Sequence, residues 1–126
     1  MPTALDLTDK DIADFRRAAR RREQQARRAL AQREKRAWAV ARQAADMLRE
    51  QFAIEKLVVF GSLVHLDCFT SWSDVDLAVW GLSPLETFRA IGVAMDLASD
   101  IEINLVDVGT CSPSLLAAIE RDGVEL

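Results

Sequence analysis

Asp74 and Asp76 stand two residues apart at the head of a run that is otherwise apolar, Val75, Leu77, Ala78 and Val79. Residues i and i+2 of a strand share a face, so a strand here would hold the two carboxylates side by side. Val75, Leu77 and Val79 would then point to the opposite face, toward a core. Adjacent carboxylates repel, and each makes the other harder to ionise unless a cation lies between them. Oxygen ligands of this kind suit Mg²⁺. A pair of such ions can clamp the attacking and leaving oxygens of a phosphoryl transfer. A bare Asp-x-Asp also fits two solvated aspartates at a strand start, so its surroundings have to decide.

Gly61-Ser62 follows the β-branched apolar run Lys56-Leu-Val-Val-Phe60. Glycine at the end of a strand lets the backbone come close to a ligand. A serine hydroxyl and free backbone N–H groups at a strand-to-helix turn can hold a phosphate. Taken alone, Gly-Ser is equally a plain turn. His65 is the single histidine of the chain and reads either as a ligand or as an ordinary loop residue. Trp72 stands in the loop before Asp74 and could border a nucleotide pocket. It shares with Trp38 and Trp80 the simpler reading of packing.

Several elements must position these groups. From about Asp9 to Gln51 the chain reads as one long helix, because neither Gly nor Pro occurs from Ala4 to Phe60 and Ala, Arg, Gln and Glu dominate. Thr8 is a good N-cap, Asp11 completes a weak capping box, and Asp9, Asp11 and Asp14 suit the positive end of the helix dipole. Such a helix is about 65 Å long at 1.5 Å per residue. Part of it must project, bend back or pack on another chain. Its second half is the more apolar and should dock on the body. Strands follow at Lys56–Phe60, Asp74–Trp80 and Ile101–Val108. A loop over 63–73 joins the first two strands. Ser83-Pro84 and Ser112-Pro113 each place a cap residue and a first-turn proline before a helix, one to about Ala98 and one to about Arg121. The order predicts a small α/β (α+β) fold with a mixed sheet flanked by helices. Residues 1–51 are expected to form the basic helix and residues 52–126 the sheet domain.

Half of the 126 residues are hydrophobic and 29% are charged, the balance of a folded soluble domain. No stretch approaches the roughly 20 apolar residues of a membrane span. MPTALDLTDKD carries no basic leader before an apolar core. Cys68 and Cys111 lack metal-knuckle spacing and read as reduced thiols. A cytoplasmic location is the default expectation. The net charge of −4 conceals an asymmetry: from Asp9 to Arg36 there are 11 Lys/Arg against 5 Asp/Glu, a local +6, and from Leu57 to Leu126 there are 2 against 11, a local −9. Phosphate ligands would need divalent cations to approach so acidic a body. The basic helix reads first as a solvated face and second as a docking surface for a partner protein or a second copy. Nucleic-acid contact ranks last, because no aromatics are interleaved for stacking.

Together these segments read V-V-F-G-S-L-V-H-L-D-C-F-T-S-W-S-D-V-D-L-A-V. The pattern resembles the signature of the polymerase-β-type nucleotidyltransferase superfamily, in particular its minimal nucleotidyltransferases (the MNT group). Glu-Ile-Asn-Leu-Val-Asp-Val is similar to the strand that bears the family's third carboxylate. The Arg/Ala-rich first helix and the closing Ile-Glu-Arg-Asp-Gly-Val extend the resemblance over nearly the whole chain. The resemblance implies that Gly61 and Ser62 contact the triphosphate of ATP and that Asp74 and Asp76 ligate Mg²⁺, as two ions. It implies transfer of AMP to a hydroxyl with release of pyrophosphate. It also implies a HEPN-type RNase toxin as partner, with adenylylation of a toxin tyrosine as the antitoxin mechanism; the Ala/Leu stripe of the first helix separately suggests homo- or hetero-oligomers through that helix. A member reduced to a binding module is the alternative.

Three departures bear on catalysis. The third-carboxylate position falls on Asn104, a neutral and weaker ligand. Glu102, on the same strand face, could substitute, whereas Asp107 lies on the opposite face. The small-Arg-Gly run that often follows Gly-Ser is here Val64, His65 and Leu66. The loop is also one residue longer than the commonest spacing.

Overall fold

The computed structural model describes residues 7–126. The first six residues, on which part of the expectation of no secretion leader rests, lie outside the described residues. The chain divides into two compact units, 1–32 and Arg33–Leu126.

In the first unit, helix α1 (Asp9–Gln51) begins. Its start is capped as expected: Asp11 N donates to Thr8 Oγ1 at 3.1 Å, and Thr8 N donates back to Asp11 Oδ2 at 3.0 Å. The reciprocal bonds satisfy N–H groups that a helix start otherwise leaves unpaired. The exposed turns carry ion pairs between Asp14 and Arg17 and between Glu23 and Arg27. In both, the acid lies on the N-terminal side, the orientation that also suits the dipole.

In the second unit, the remainder of α1 buries Ala37, Val40, Ala41, Ala44, Ala45 and Leu48. Their spacing of threes and fours makes one apolar stripe. The strands are β1 (Lys56–Phe60), β2 (Val75–Trp80), β3 (Ile103–Asp107) and β4 (Val124–Glu125), in sheet order β3-β2-β1-β4. β1 pairs antiparallel with β2 and with β4, and β2 pairs parallel with β3. A parallel pair needs a crossover, which α2 (Pro84–Met95) supplies. Helix α3 (Pro113–Asp122) follows β3, and Ser112 Oγ caps it by accepting from Leu115 N.

Strand parity sorts the sheet into two faces. Register places Leu57 opposite Val79, Val59 opposite Leu77, Val75 opposite Ile103 and Leu77 opposite Leu105, and all seven are buried. On the other face Val58 and Ala78 pack with Ile119 of α3, flanked by Phe60, Trp80, Val108 and Leu115. The mixed sheet, the helices and their order are as the sequence predicts. Corrections fall at the edges. β2 starts at Val75 rather than Asp74, β3 spans Ile103–Asp107 rather than Ile101–Val108, and α2 ends at Met95. The expected loop after Gly61-Ser62 contains two short 3₁₀ turns, Gly61–Leu63 and Leu66–Cys68. The expected short tail is strand β4. Among the described residues no helix is long and apolar enough to cross a membrane. Cys68 and Cys111 are both free.

Candidate functional site

Asp76 sits on the α3-facing side of β2, opposite Phe60 of β1 and Asn104 of β3. Asp74 precedes the strand by one residue, yet shares that side. The Asn104 Nδ2 group donates to Asp76 Oδ1 at 3.2 Å and lies 3.4 Å from Asp74 Oδ2. The structure thus brings together Asp74, Asp76 and Asn104, the three residues singled out for catalysis. A backbone bond from Val75 N to Glu102 O, 2.9 Å, ties the starts of β2 and β3 together.

The pair of carboxylates is electrostatically costly. Burial is the main cause that pushes the Asp76 pKa above the usual carboxylate value. The Asn104 amide pulls it back, while Asp74 and Glu102 raise it further. Glu102 therefore stands near enough for its charge to be felt at Asp76. Asp107 takes no part. It lies on the opposite face, where Thr87 Oγ1 and Gly109 N donate to its carboxylate at 2.9 and 3.0 Å.

Gly61 closes the site from the β1 side. Its φ of +76° belongs to the left-handed region that glycine tolerates best. A Cβ at this position would lie 2.4 Å from Asp76 Oδ2. The glycine is required twice, by its dihedral and by the approach of the carboxylate. Ser62 follows in the 3₁₀ turn, where its carbonyl accepts from His65 N at 3.2 Å. The first N–H groups of such a turn have no partner within it.

Other residues lie elsewhere. His65 is exposed and its Nε2 is 3.6 Å from Asp122 Oδ2 at the end of α3. Arg121 chiefly holds the Asp122 carboxyl below its ordinary range, with His65 contributing. Trp72 is 88% exposed at the tip of the turn that Thr70 and Ser73 close. The side chain of Leu66 lies outside what is described.

The sequence reading passed over two arginines. Arg33 Nη2 donates to Ser73 O at 2.9 Å, immediately before Asp74. Arg36 makes two bonds to the Asp100 carboxylate, at 3.0 and 3.2 Å, and holds its pKa down. A signal existed: Arg33 falls four residues before Ala37, on the same stripe that buries Ala37, Ala41 and Ala44.

The donor set suits a hard divalent cation. Asp74 and Asp76 offer carboxylate oxygens, and Asn104 offers an amide oxygen after a turn of the group. Among the described residues no three His, Cys, Asp or Glu side chains gather to hold an ion unaided. The amide is thus the third member of the cluster. With no cation between the carboxylates its NH₂ faces them; with one there, its carbonyl oxygen suits better.

A family model described as "Polymerase beta, Nucleotidyltransferase" matches residues 42–126. Comparison with curated proteins gives no match. Among solved structures the chain is similar to a variant MntA–HpeT toxin–antitoxin complex, at 24% identity and TM-score 0.52, covering 68% of this chain and 69% of that one. It is also similar to a toxin–antitoxin structure with AMP-PNP, at 23% identity and TM-score 0.51, covering 64% and 67%. A third match is a tri-AMPylated Shewanella oneidensis HEPN toxin in complex with MNT antitoxin, at 19% identity and TM-score 0.52, covering 71% and 70%. Likeness at these identities establishes a shared fold.

Proposed function

This chain belongs to the polymerase beta nucleotidyltransferase family, and from that premise we propose that it transfers AMP from ATP to a hydroxyl of a HEPN-type toxin, acting as its antitoxin. The observation that carries the proposal is the meeting of Asp74, Asp76 and Asn104 beside Gly61 at one end of strands β1 to β3. The solved relatives with AMP-PNP and with an AMPylated toxin support the same chemistry.

In this reading Asp74 and Asp76 hold Mg²⁺, with the Asn104 carbonyl as a neutral third ligand. When bound, the metal offsets the triphosphate charge and stabilises the departing pyrophosphate. Gly61 lets the chain approach the phosphates closely, and the Ser62 hydroxyl and adjacent N–H groups orient them. The acceptor oxygen forms a bond to the α-phosphorus, the bond from that phosphorus to the bridging oxygen breaks, and pyrophosphate leaves. An amide at position 104 cannot take the acceptor's proton. Glu102, on the same face, is the carboxylate left to receive it.

The acceptor is supplied by another protein. On α2, Leu85 and Phe88 lie one helical turn apart and are 93% and 85% exposed. In this reading the pair is the surface on which the acceptor protein docks. The basic half of α1 offers a second surface, for a toxin or a further copy of the chain.

A binding-only antitoxin is the second reading, and the substitution of Asn104 for a carboxylate favours it. Pyrophosphate release from ATP with Mg²⁺ and toxin separates the two. The transferase reading expects release that Asp74→Ala lowers by at least about 10²-fold. Release at the same rate in the variant would remove it.

A further inference from the structure

We infer that Arg33 is a positioning residue that fixes Asp74 within the carboxylate site; the inference rests on the nucleotidyltransferase reading of that site. Asp74 lies outside the ladder, because β2 begins at Val75. The last backbone bond between the two strand starts is Val75 N to Glu102 O. Nothing in the sheet holds the chain beyond it. A strand end without ladder bonds frays unless something else takes its backbone groups.

Arg33 does so. Its Nη2 donates to Ser73 O at 2.9 Å, and its Nη1 reaches Asp100 O at 3.5 Å. Ser73 is the residue before Asp74, and Asp100 lies two before Glu102. One guanidinium therefore spans the loops that lead into β2 and β3, just outside their last mutual bond. Arg36, three residues on, grips the Asp100 carboxylate through Nε and Nη2. Ser73 is fixed from its other side, its N–H donating to Thr70 O at 3.1 Å and its Oγ accepting from Thr70 N at 2.8 Å.

Arg33 Nε is buried without a hydrogen-bond partner. An arginine free to choose would turn that group to water. Its burial shows the fork seated where packing and the two carbonyls put it. Lysine cannot replace the fork, since a single ammonium on a flexible stem does not span two separate carbonyls with the same geometry. Loss of the fork should release Asp74 first. The Asn104 contact to Asp74, 3.4 Å, is the longer of its two, and Asp76 is held within the strand.

Asn104 is the only asparagine in the sequence, which supplies a probe. Protein labelled with ¹⁵N-asparagine gives a single side-chain NH₂ pair by NMR. In metal-free Arg33→Lys the pair should move most of the way to its position in Asp74→Ala. The midpoint of the Mg²⁺-induced shift should rise by about 10- to 100-fold. Arg33→Gln serves as a second variant, and circular dichroism checks that each is folded. A pair that overlays the wild type in a folded variant, with an unchanged Mg²⁺ midpoint, overturns the inference. If Mg²⁺ fails to move even the wild-type pair, the nucleotidyltransferase reading fails separately, and the metal-free comparison still decides the role of Arg33.

Discussion

At the scale of single residues, the site is a balance between like charges and the groups that tolerate them. Burial raises the pKa of Asp76, and Asp74 and Glu102 raise it further. A raised carboxylate pKa means that the folded state binds the proton more tightly than the unfolded state. The associated stability is then fully present below the unfolded value and is lost as pH rises through the folded one. Metal-free protein should therefore lose stability on this account as pH rises above the ordinary carboxylate range and through the raised folded value. Asp76→Asn should raise the metal-free Tm at pH 7 and flatten that dependence, while removing any gain from Mg²⁺. Thermal melts over pH, with and without Mg²⁺, check both signs. Gly61→Ala should cost about 1–3 kcal/mol from its positive φ alone, with the clash at Asp76 Oδ2 added. Urea denaturation reads that loss.

Much of this scale was legible. Parity alone placed Asp74 with Asp76 and separated Asp107 from Asn104. What sequence could not supply was contact between distant segments. His65 turned to Asp122, and Arg33 reached Ser73 across 40 positions of sequence. Neither spacing nor propensity encodes such pairings.

At the scale of elements, α1 has a different character in each unit. The turns before Arg33 rest on the Thr8–Asp11 cap and on exposed ion pairs that solvent screens. The later turns rest on burial. Leu48 is fully buried, so Leu48→Ala should cost about 2–5 kcal/mol, measured by chemical denaturation. An exposed arm residue such as Phe15, 62% accessible, should cost little by the same substitution. Helix and strand types were readable because periodicity reports which face is buried. The boundaries were not, because they depend on tertiary bonds. β4 has two residues, too few for any period, and exists because Val124 and Glu125 pair with β1. The first 3₁₀ turn, Gly61–Leu63, likewise starts at the left-handed conformation that Gly61 permits.

At the scale of the molecule, charge is divided unevenly: the turns before Arg33 are basic and the sheet that follows is acidic. Every buried apolar side chain among the described residues lies at or beyond Ala37. Removal of residues 1–32 should leave a cooperatively folding domain that still carries Asp74, Asp76 and Asn104. The Tm of the truncated chain, compared with the intact one, tests this. The charge contrast was visible in the sequence, as was the likeness to nucleotidyltransferases through its motif. The exposed Leu85 and Phe88 pair was not, because an amphipathic helix does not announce which of its apolar residues the core leaves out.

The most direct test joins this protein to the product of its neighbouring gene. Both are incubated with ATP and Mg²⁺, and intact masses are recorded beside the Asp74→Ala control. The account predicts that the partner gains one or more AMP units with the wild-type chain and none with the variant. A stable complex in which the partner's mass never changes would contradict transfer, and would leave the nucleotidyltransferase fold here as a binding surface.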